Sequence, residues 1–134
     1  MMKIADAVTA VIPAAGLGTR LRPHTFTVPK VLLPVAGKPI LGHILDRLER
    51  EGVRRIVVII GYLGEKIEEY VREHYPFDAT FVEQKEFNGL GYAVSLAAPY
   101  VDGPVLIVLG DTIVEGGPPN GPVARLRVYL GQRV

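Results

Sequence analysis

Two kinds of apolar pattern alternate along the chain. Short apolar runs rich in β-branched residues are typical of strands that are buried on both faces of a sheet. These runs span residues 8–13, 54–60, 79–84 and 104–109. Between them, apolar residues recur every three or four positions, which predicts helices at 40–51, 65–75 and about 92–98. The first helix is expected to end at Gly52 and the second before Pro76.

This alternation of strands with helices predicts an α/β fold. Parallel strands joined by right-handed crossovers place helices on both faces of a sheet, so we expect a Rossmann-like, mostly parallel sheet. The pattern changes after Glu115. Residues 116–122 (GGPPNGP) have the composition of a linker, and residues 123–130 alternate as an edge strand or a tail would.

Composition narrows the class of protein. The chain has 134 residues, 49% of them hydrophobic, which suits one domain with a substantial core. It has no Cys, which excludes disulfides and thiolate metal sites. Its net charge of +1 provides no general field to attract nucleic acid. No apolar run is long enough to span a membrane and no signal peptide is visible, so a cytoplasmic protein is expected.

A long basic loop, 14-AAGLGTRLRPHTFTVPKVLLPV-35, follows the first predicted strand. In open α/β sheets, ligands bind beyond the carboxyl ends of the strands, where this loop begins. Gly16 and Gly18 allow backbone N–H groups to approach phosphate oxygens closely. The cations of the loop include Arg20, Arg22 and Lys30. The loop therefore has the chemistry of a triphosphate cradle, although a basic surface loop could share this composition.

Two common phosphate-binding motifs do not fit this loop. The dinucleotide fingerprint G-x-G-x-x-G would need Gly where Leu21 stands. The P-loop needs Ser or Thr after its Gly-Lys pair, but Lys38 is followed by Pro39.

Residues 16–41, GLGTRLRPHTFTVPKVLLPVAGKPIL, resemble the signature of the sugar-phosphate nucleotidyltransferases. These enzymes make nucleoside diphosphate sugars from a nucleoside triphosphate and a sugar 1-phosphate. Residues 84–94 (QKEFNGLGYAV) and 108–114 (VLGDTIV) resemble the base-recognition and metal-binding segments of that family. The resemblance implies a truncated nucleotide-diphospho-sugar transferase fold. Residues 1–115 would be its nucleotide-binding half, and 116–134 a Gly/Pro linker with an edge strand or tail.

The resemblance also implies roles for individual residues in phosphate binding. Arg20 would hold the β- and γ-phosphates, and Lys30 would neutralise charge at the α-phosphate. Asp111 would bind Mg²⁺, unless it is only a turn residue after Gly110. The remaining nucleotide contacts in this loop would come from Ala14, Ala15, Gly16, Leu17, Gly18 and Thr19, with Leu17 packing on the base or sugar face.

Gln84 and Gly89 would contact the base. Gln84 together with Gly-Leu-Gly at 89–91 resembles the family members that use UTP or dTTP. The ordinary alternatives are an exposed Gln84 and a Gly89 that only starts a helix. Because the attacking phosphate is already anionic, the reaction needs no general base, only positioning and charge neutralisation.

Two functions remain open at this stage. One is nucleotidyl transfer to a sugar 1-phosphate, and the other is a nucleotide-binding regulatory or assembly module without turnover. The sugar pocket and the second metal carboxylate of the family would lie beyond Val134. The chain is therefore expected to bind nucleotide but to turn it over poorly, and to cover its open sheet edges by forming a homo-oligomer.

Overall fold

The computed structural model describes residues 8–16, 27–86 and 89–108. Within these ranges a mostly parallel sheet carries helices on both faces, which confirms the predicted fold class. The strands are β1 (Thr9–Pro13), β2 (Pro34–Val35), β3 (Lys38–Pro39), β4 (Arg55–Ile60), β5 (Asp78–Glu83) and β6 (Val105–Ile107). The helices are α1 (Ile40–Arg50), α2 (Gly64–His74) and α3 (Gly89–Ser95), with 3₁₀ turns at Lys30–Leu32 and Ala98–Tyr100.

The strand order β5-β4-β1-β6 makes β1 a central strand. All pairings in this sheet are parallel, and β1 runs beside β4 from Thr9–Arg55 to Pro13–Ile59. The chain leaves β1, builds β4 and β5 on one side, and returns to the other side as β6. This reversal makes the carboxyl edge beside β1 a topological switch point, where ligands bind in open sheets.

Successive side chains of each strand point to opposite faces of the sheet. Both faces carry apolar side chains, and helices cover both. On one face, strand residues such as Ala10, Ile12 and Val58 pack with α1 and α2. The helix residues in this layer are Leu41, Ile44, Leu45, Leu48, Ile67 and Val71. On the other face, Val11 and Val57 pack with Ala93 and Ala97 at and just after α3.

The three long strands begin and end within one residue of the predicted runs. β6 is shorter than predicted, although Val108 N still donates to Val11 O at 2.9 Å. The predicted position 109 lies outside the described residues.

The helix ends follow the expected signals. Gly52, with φ of +89°, takes the left-handed conformation just after α1, and α2 ends at His74, shortly before Pro76. α3 begins at Gly89, three residues before the predicted start, because its Gly-Leu-Gly turn presents no apolar stripe. No helix in the described ranges is long and apolar enough to cross a membrane.

A hairpin lies between residues 34 and 39, where the sequence pattern predicted no strand or helix. β2 and β3 pair antiparallel, with Val35 opposite Lys38. The two residues between them, Ala36 and Gly37, both have positive φ, of 53° and 80°. That combination defines the turn which best matches the twist of paired strands. Strands of two residues carry no detectable period, so the pattern could not predict them.

We expect Gly64→Ala to lower the free energy of unfolding by about 1–3 kcal/mol, as overpacking does. A Cβ at Gly64 would lie 2.8 Å from Cβ of Ile60, so α2 would have to move away from β4. Urea unfolding followed by circular dichroism measures the change.

Gly91→Ala is the matched control for this prediction. Among the residues that the structure describes, none has an atom within 4 Å of a Cβ at Gly91, and Ala in a helix is favoured over Gly by up to about 1 kcal/mol. A Gly64→Ala variant as stable as the unmodified chain would contradict the tight packing of α2 on β4.

Candidate active site at the carboxyl edge

The end of β4 is flanked by two of the predicted site segments. Ala14 N donates to Ile59 O at 2.7 Å, and Gln84 N donates to Ile60 O at 2.7 Å. The loop after β1 therefore starts on one side of β4, and Gln84 follows β5 on the other side. Both lie at the carboxyl edge of the sheet.

Gly61 makes close approach possible at this edge. A Cβ there would lie 3.1 Å from both Cβ and O of Ala15. Ala14 and Ala15 are buried in the two core layers, whereas Gly16 is exposed. The two alanines can therefore contribute to a site mainly through their backbone. The sequence interpretation missed Gly61, although a glycine directly after a buried strand, at the same edge as the loop, was the available signal.

Gln84 is buried, with 6% of its surface exposed. The alternative of an exposed surface glutamine is therefore wrong. Its Nε2 donates to Glu86 O at 2.8 Å, which fixes the side-chain amide against its own loop. That bond uses one of the two N–H groups of the amide. A fixed, buried amide at this edge is suited to form hydrogen bonds with a polar ligand.

Gly89 begins α3 with φ of +88°. It is therefore a helix-start glycine, as the alternative interpretation held. It is exposed, and no atom of the described residues lies within 4 Å of a Cβ placed on it. Since α3 follows β5, its start belongs to the carboxyl edge. The positive φ still favours glycine at this position, because L side chains rarely adopt it.

Lys30 begins a 3₁₀ turn that lies between the starts of two helices. Leu33 O accepts a bond from Ile40 N, the first residue of α1, at 3.0 Å. On the other side, Lys66 Nζ of α2 donates to Thr27 O at 2.6 Å. Helices in parallel α/β units start at the carboxyl edge, so segment 27–33 lies there as well. Among the described residues, the Lys30 ammonium has no hydrogen-bond or ion-pair partner.

Polar contacts with α1 fix the hairpin that follows Lys30. His43 Nε2 lies 2.6 Å from Val35 O, so it donates when protonated at that nitrogen. Lys38 forms an ion pair with Asp46. Tyr75, just after α2, donates its hydroxyl to Asp46 Oδ1 at 2.5 Å. The hairpin is therefore tied to both helices of this face.

The ionisation of this cluster follows from its contacts. Partial burial acts to raise the pKa of Asp46, but the bonds from Lys38 and Tyr75 outweigh it and lower that pKa overall. Burial and the bond to Asp46 raise the pKa of the Tyr75 hydroxyl. Asp46 is therefore charged at neutral pH, and Tyr75 is its neutral donor.

Leu17, Gly18, Thr19, Arg20 and Asp111 lie outside the described residues, and their roles stay predictions. In the part of the chain that the structure describes, no group of three or more His, Asp or Glu residues is arranged to hold a metal ion.

The chain is similar to known proteins over most of its length. The family model described as nucleotidyl transferase matches residues 9–123. The bifunctional protein GlmU of Methanocaldococcus jannaschii is 45% identical over 106 residues, which are 79% of this chain and 25% of that protein. The UTP–glucose-1-phosphate uridylyltransferase AglF of Haloferax volcanii is 41% identical over 105 residues, covering 78% of this chain and 43% of AglF.

A solved structure agrees with these relatives. The putative glucose-1-phosphate thymidylyltransferase of Bacillus anthracis superposes with a TM-score of 0.71 at 27% identity, over 78% of this chain and 44% of that one. The chain thus spans less than half the length of each of these three proteins.

We expect Asp46→Asn to remove a pH-dependent part of the stability. Because the pKa of Asp46 is lowered in the folded state, its contribution is complete above the ordinary Asp pKa of about 3.9. It is lost as the pH falls from there through the lower folded-state pKa. The difference in free energy of unfolding between the two proteins, at most about 1 kcal/mol for a partly exposed pair, should therefore shrink below about pH 4.

Urea unfolding between about pH 2.5 and 7 spans the range in which an Asp titrates and measures this difference. Glu73→Gln, which removes an exposed carboxylate from α2, is the control. The same pH dependence in both variants would contradict a specific role for Asp46.

Proposed function

Because this chain belongs to the nucleotidyl transferase family, we propose that it binds a nucleoside triphosphate at the carboxyl edge of its sheet. The bound nucleotide serves transfer of its nucleotidyl group to a sugar 1-phosphate. One observation carries the proposal: the start of the β1 loop, the buried Gln84 and Lys30, which has no partner among the described residues, all lie at that edge. These groups suit, in turn, phosphates, a base and a developing negative charge.

In the proposed reaction, a phosphate oxygen of the sugar 1-phosphate attacks the α-phosphorus of the triphosphate. The bond from that phosphorus to the bridging oxygen breaks, and pyrophosphate leaves. Backbone N–H groups of residues 15–19 bind the phosphates, since the N–H of Ala14 is already bonded to Ile59 O. Lys30 neutralises charge at the α-phosphate, and Arg20 grips the β- and γ-phosphates with paired N–H groups. Rate acceleration then comes from positioning and charge neutralisation.

Gln84 and Gly89 are proposed to bind the base. The amide of Gln84 offers a donor and an acceptor, which match the polar edge of a pyrimidine. Gly89 leaves open space for the base to approach the backbone. UTP or dTTP is the proposed nucleotide, in keeping with the names of AglF and of the thymidylyltransferase from Bacillus anthracis.

Asp111 is proposed to hold Mg²⁺, since carboxylate oxygens are preferred ligands of this ion. The proposal is supported by Val108, three residues before Asp111 in the sequence, which is still hydrogen-bonded to Val11 of β1. When bound, Mg²⁺ would neutralise part of the phosphate charge.

We expect Lys30→Gln to weaken UTP binding by about 10- to 100-fold, because a hydrogen bond to a charged group contributes about 1.5–3 kcal/mol. Isothermal titration calorimetry on the chain measures the affinity. Arg55→Gln is the control, since this exposed cation starts β4 at the opposite edge of the sheet. Equal losses in both variants would indicate general charge attraction and contradict a phosphate contact at Lys30.

Gln84→Ala should weaken the binding of UTP about fivefold, since one lost hydrogen bond costs roughly 1 kcal/mol. It should leave the binding of inorganic tripolyphosphate unchanged, because this probe has phosphates but no base. Titrations with UTP, dTTP, CTP and ATP on both proteins show whether discrimination among bases is lost. Since Gln84 is buried, thermal unfolding checks that the variant is folded. Parallel loss of tripolyphosphate binding in a folded variant would contradict a base contact.

A further inference from the structure

We propose that Lys66 is a positioning residue for the phosphate site: by holding Thr27, it fixes the segment that carries Lys30. The nucleotide-related part of this inference rests on the proposed function. Lys66 acts through the backbone of the loop and is not assigned a contact with substrate.

The central observation is a hydrogen bond between distant parts of the chain. Lys66 Nζ donates to Thr27 O at 2.6 Å, and the two residues are 39 positions apart. Thr27 stands three residues before Lys30. The bond therefore connects the first turn of α2 directly to the loop segment that leads into Lys30, the proposed catalytic cation.

The position of Lys66 in α2 is unfavourable for a cation. It is the third residue of the helix, where the partial positive charge of the helix dipole favours acids. The neighbouring Glu65 follows that preference. The helix itself gives no reason for a lysine at this position, and the bond to Thr27 supplies one.

The backbone beneath Lys66 is tightly fixed. Gly64 N donates to Gly61 O at 2.9 Å, and Lys66 N donates to Leu63 O at 3.0 Å. Leu63 adopts φ of +58°, which is rare for a residue with a side chain. A Cβ at Gly64 would lie 2.8 Å from Cβ of Ile60, so this turn packs closely against the end of β4. The start of α2 is thus a defined support from which Lys66 reaches the loop.

The other end of the segment is also fixed, so Lys66 completes a two-point attachment. Ile40 N of α1 donates to Leu33 O, and Val31 is buried in the core. Between these points, Leu32 N donates to Pro29 O at 2.9 Å, which closes the 3₁₀ turn. With Lys66 at Thr27 and Ile40 at Leu33, Lys30 is held between two helices. Loss of Lys66 would release the side of the segment nearest the rest of the loop.

A double-mutant cycle tests whether Lys66 acts through Lys30. UTP affinity is measured by calorimetry for the unmodified chain, for Lys66→Met, for Lys30→Gln and for the double variant. We expect Lys66→Met to weaken UTP binding by about three- to tenfold, and to have almost no further effect once Lys30 is replaced. Lys66→Arg, which keeps a charged donor, should restore the affinity to within about twofold of the unmodified chain.

Arg72→Met controls for loss of charge in α2. Arg72 lies in the same helix and is paired with Glu68 at 2.9 Å within that helix, away from Thr27. This variant should bind UTP like the unmodified chain. Additive losses in the double variant, or an equal loss in Arg72→Met, would overturn positioning in favour of direct or general charge attraction.

Hydrogen exchange of the nucleotide-free chain separates this inference from the proposed function. In Lys66→Met, the amides of Leu32 and Leu33 should exchange about tenfold faster, while that of Val58 in β4 should be unchanged. Unchanged exchange at Leu32 and Leu33 would overturn the attachment itself, whatever the nucleotide does. Absence of UTP binding by the unmodified chain would instead overturn the proposed function, and with it the role of Lys66 in nucleotide binding.

Discussion

The parallel pairing of β1 with β4 is the constraint on which the rest of the structure depends. β1 is central, and Ala10, Val11 and Ile12 are completely buried between the two helical layers. A parallel neighbour requires a crossover, which places α1 on one face and brings the carboxyl ends of both strands to one edge. The bond from Ala14 N to Ile59 O extends this pairing beyond the strand, so the loop leaves the sheet in a fixed direction.

Small residues allow three segments of the candidate site to approach one another at this edge. Gly61 admits Ala15 against the end of β4, and Gly64 admits Ile60 against the start of α2. A side chain at either glycine would push the loop or the helix outward. Because the start of α2 is held so close, the stem of Lys66 can reach Thr27. The electrostatic contacts of the loop are therefore a consequence of packing in the layer beneath them.

The sequence predicted what repeats locally and missed what depends on distant contacts. β-branched runs located β1, β4 and β5, and apolar periodicity located α1 and α2 to within a residue. The β2–β3 hairpin has strands too short for any period. The amide of Gln84 is held by a bond within a non-repeating turn, and the bond between Lys66 and Thr27 joins residues 39 positions apart. Loop composition alone indicated Lys30 as a phosphate-binding cation, whereas only the family resemblance indicated Gln84.

The two halves of the proposed site differ in what supports them. Gln84 directly follows a strand, is buried, and has its amide held by its own backbone turn. Lys30 stands on a short turn whose position depends on contacts with α1 and α2. The proposed base contact is thus placed directly by the sheet, whereas the proposed phosphate contact depends on helices packed against the sheet. In the proposed site, changes in helix packing would therefore affect phosphate binding before they affected the choice of base.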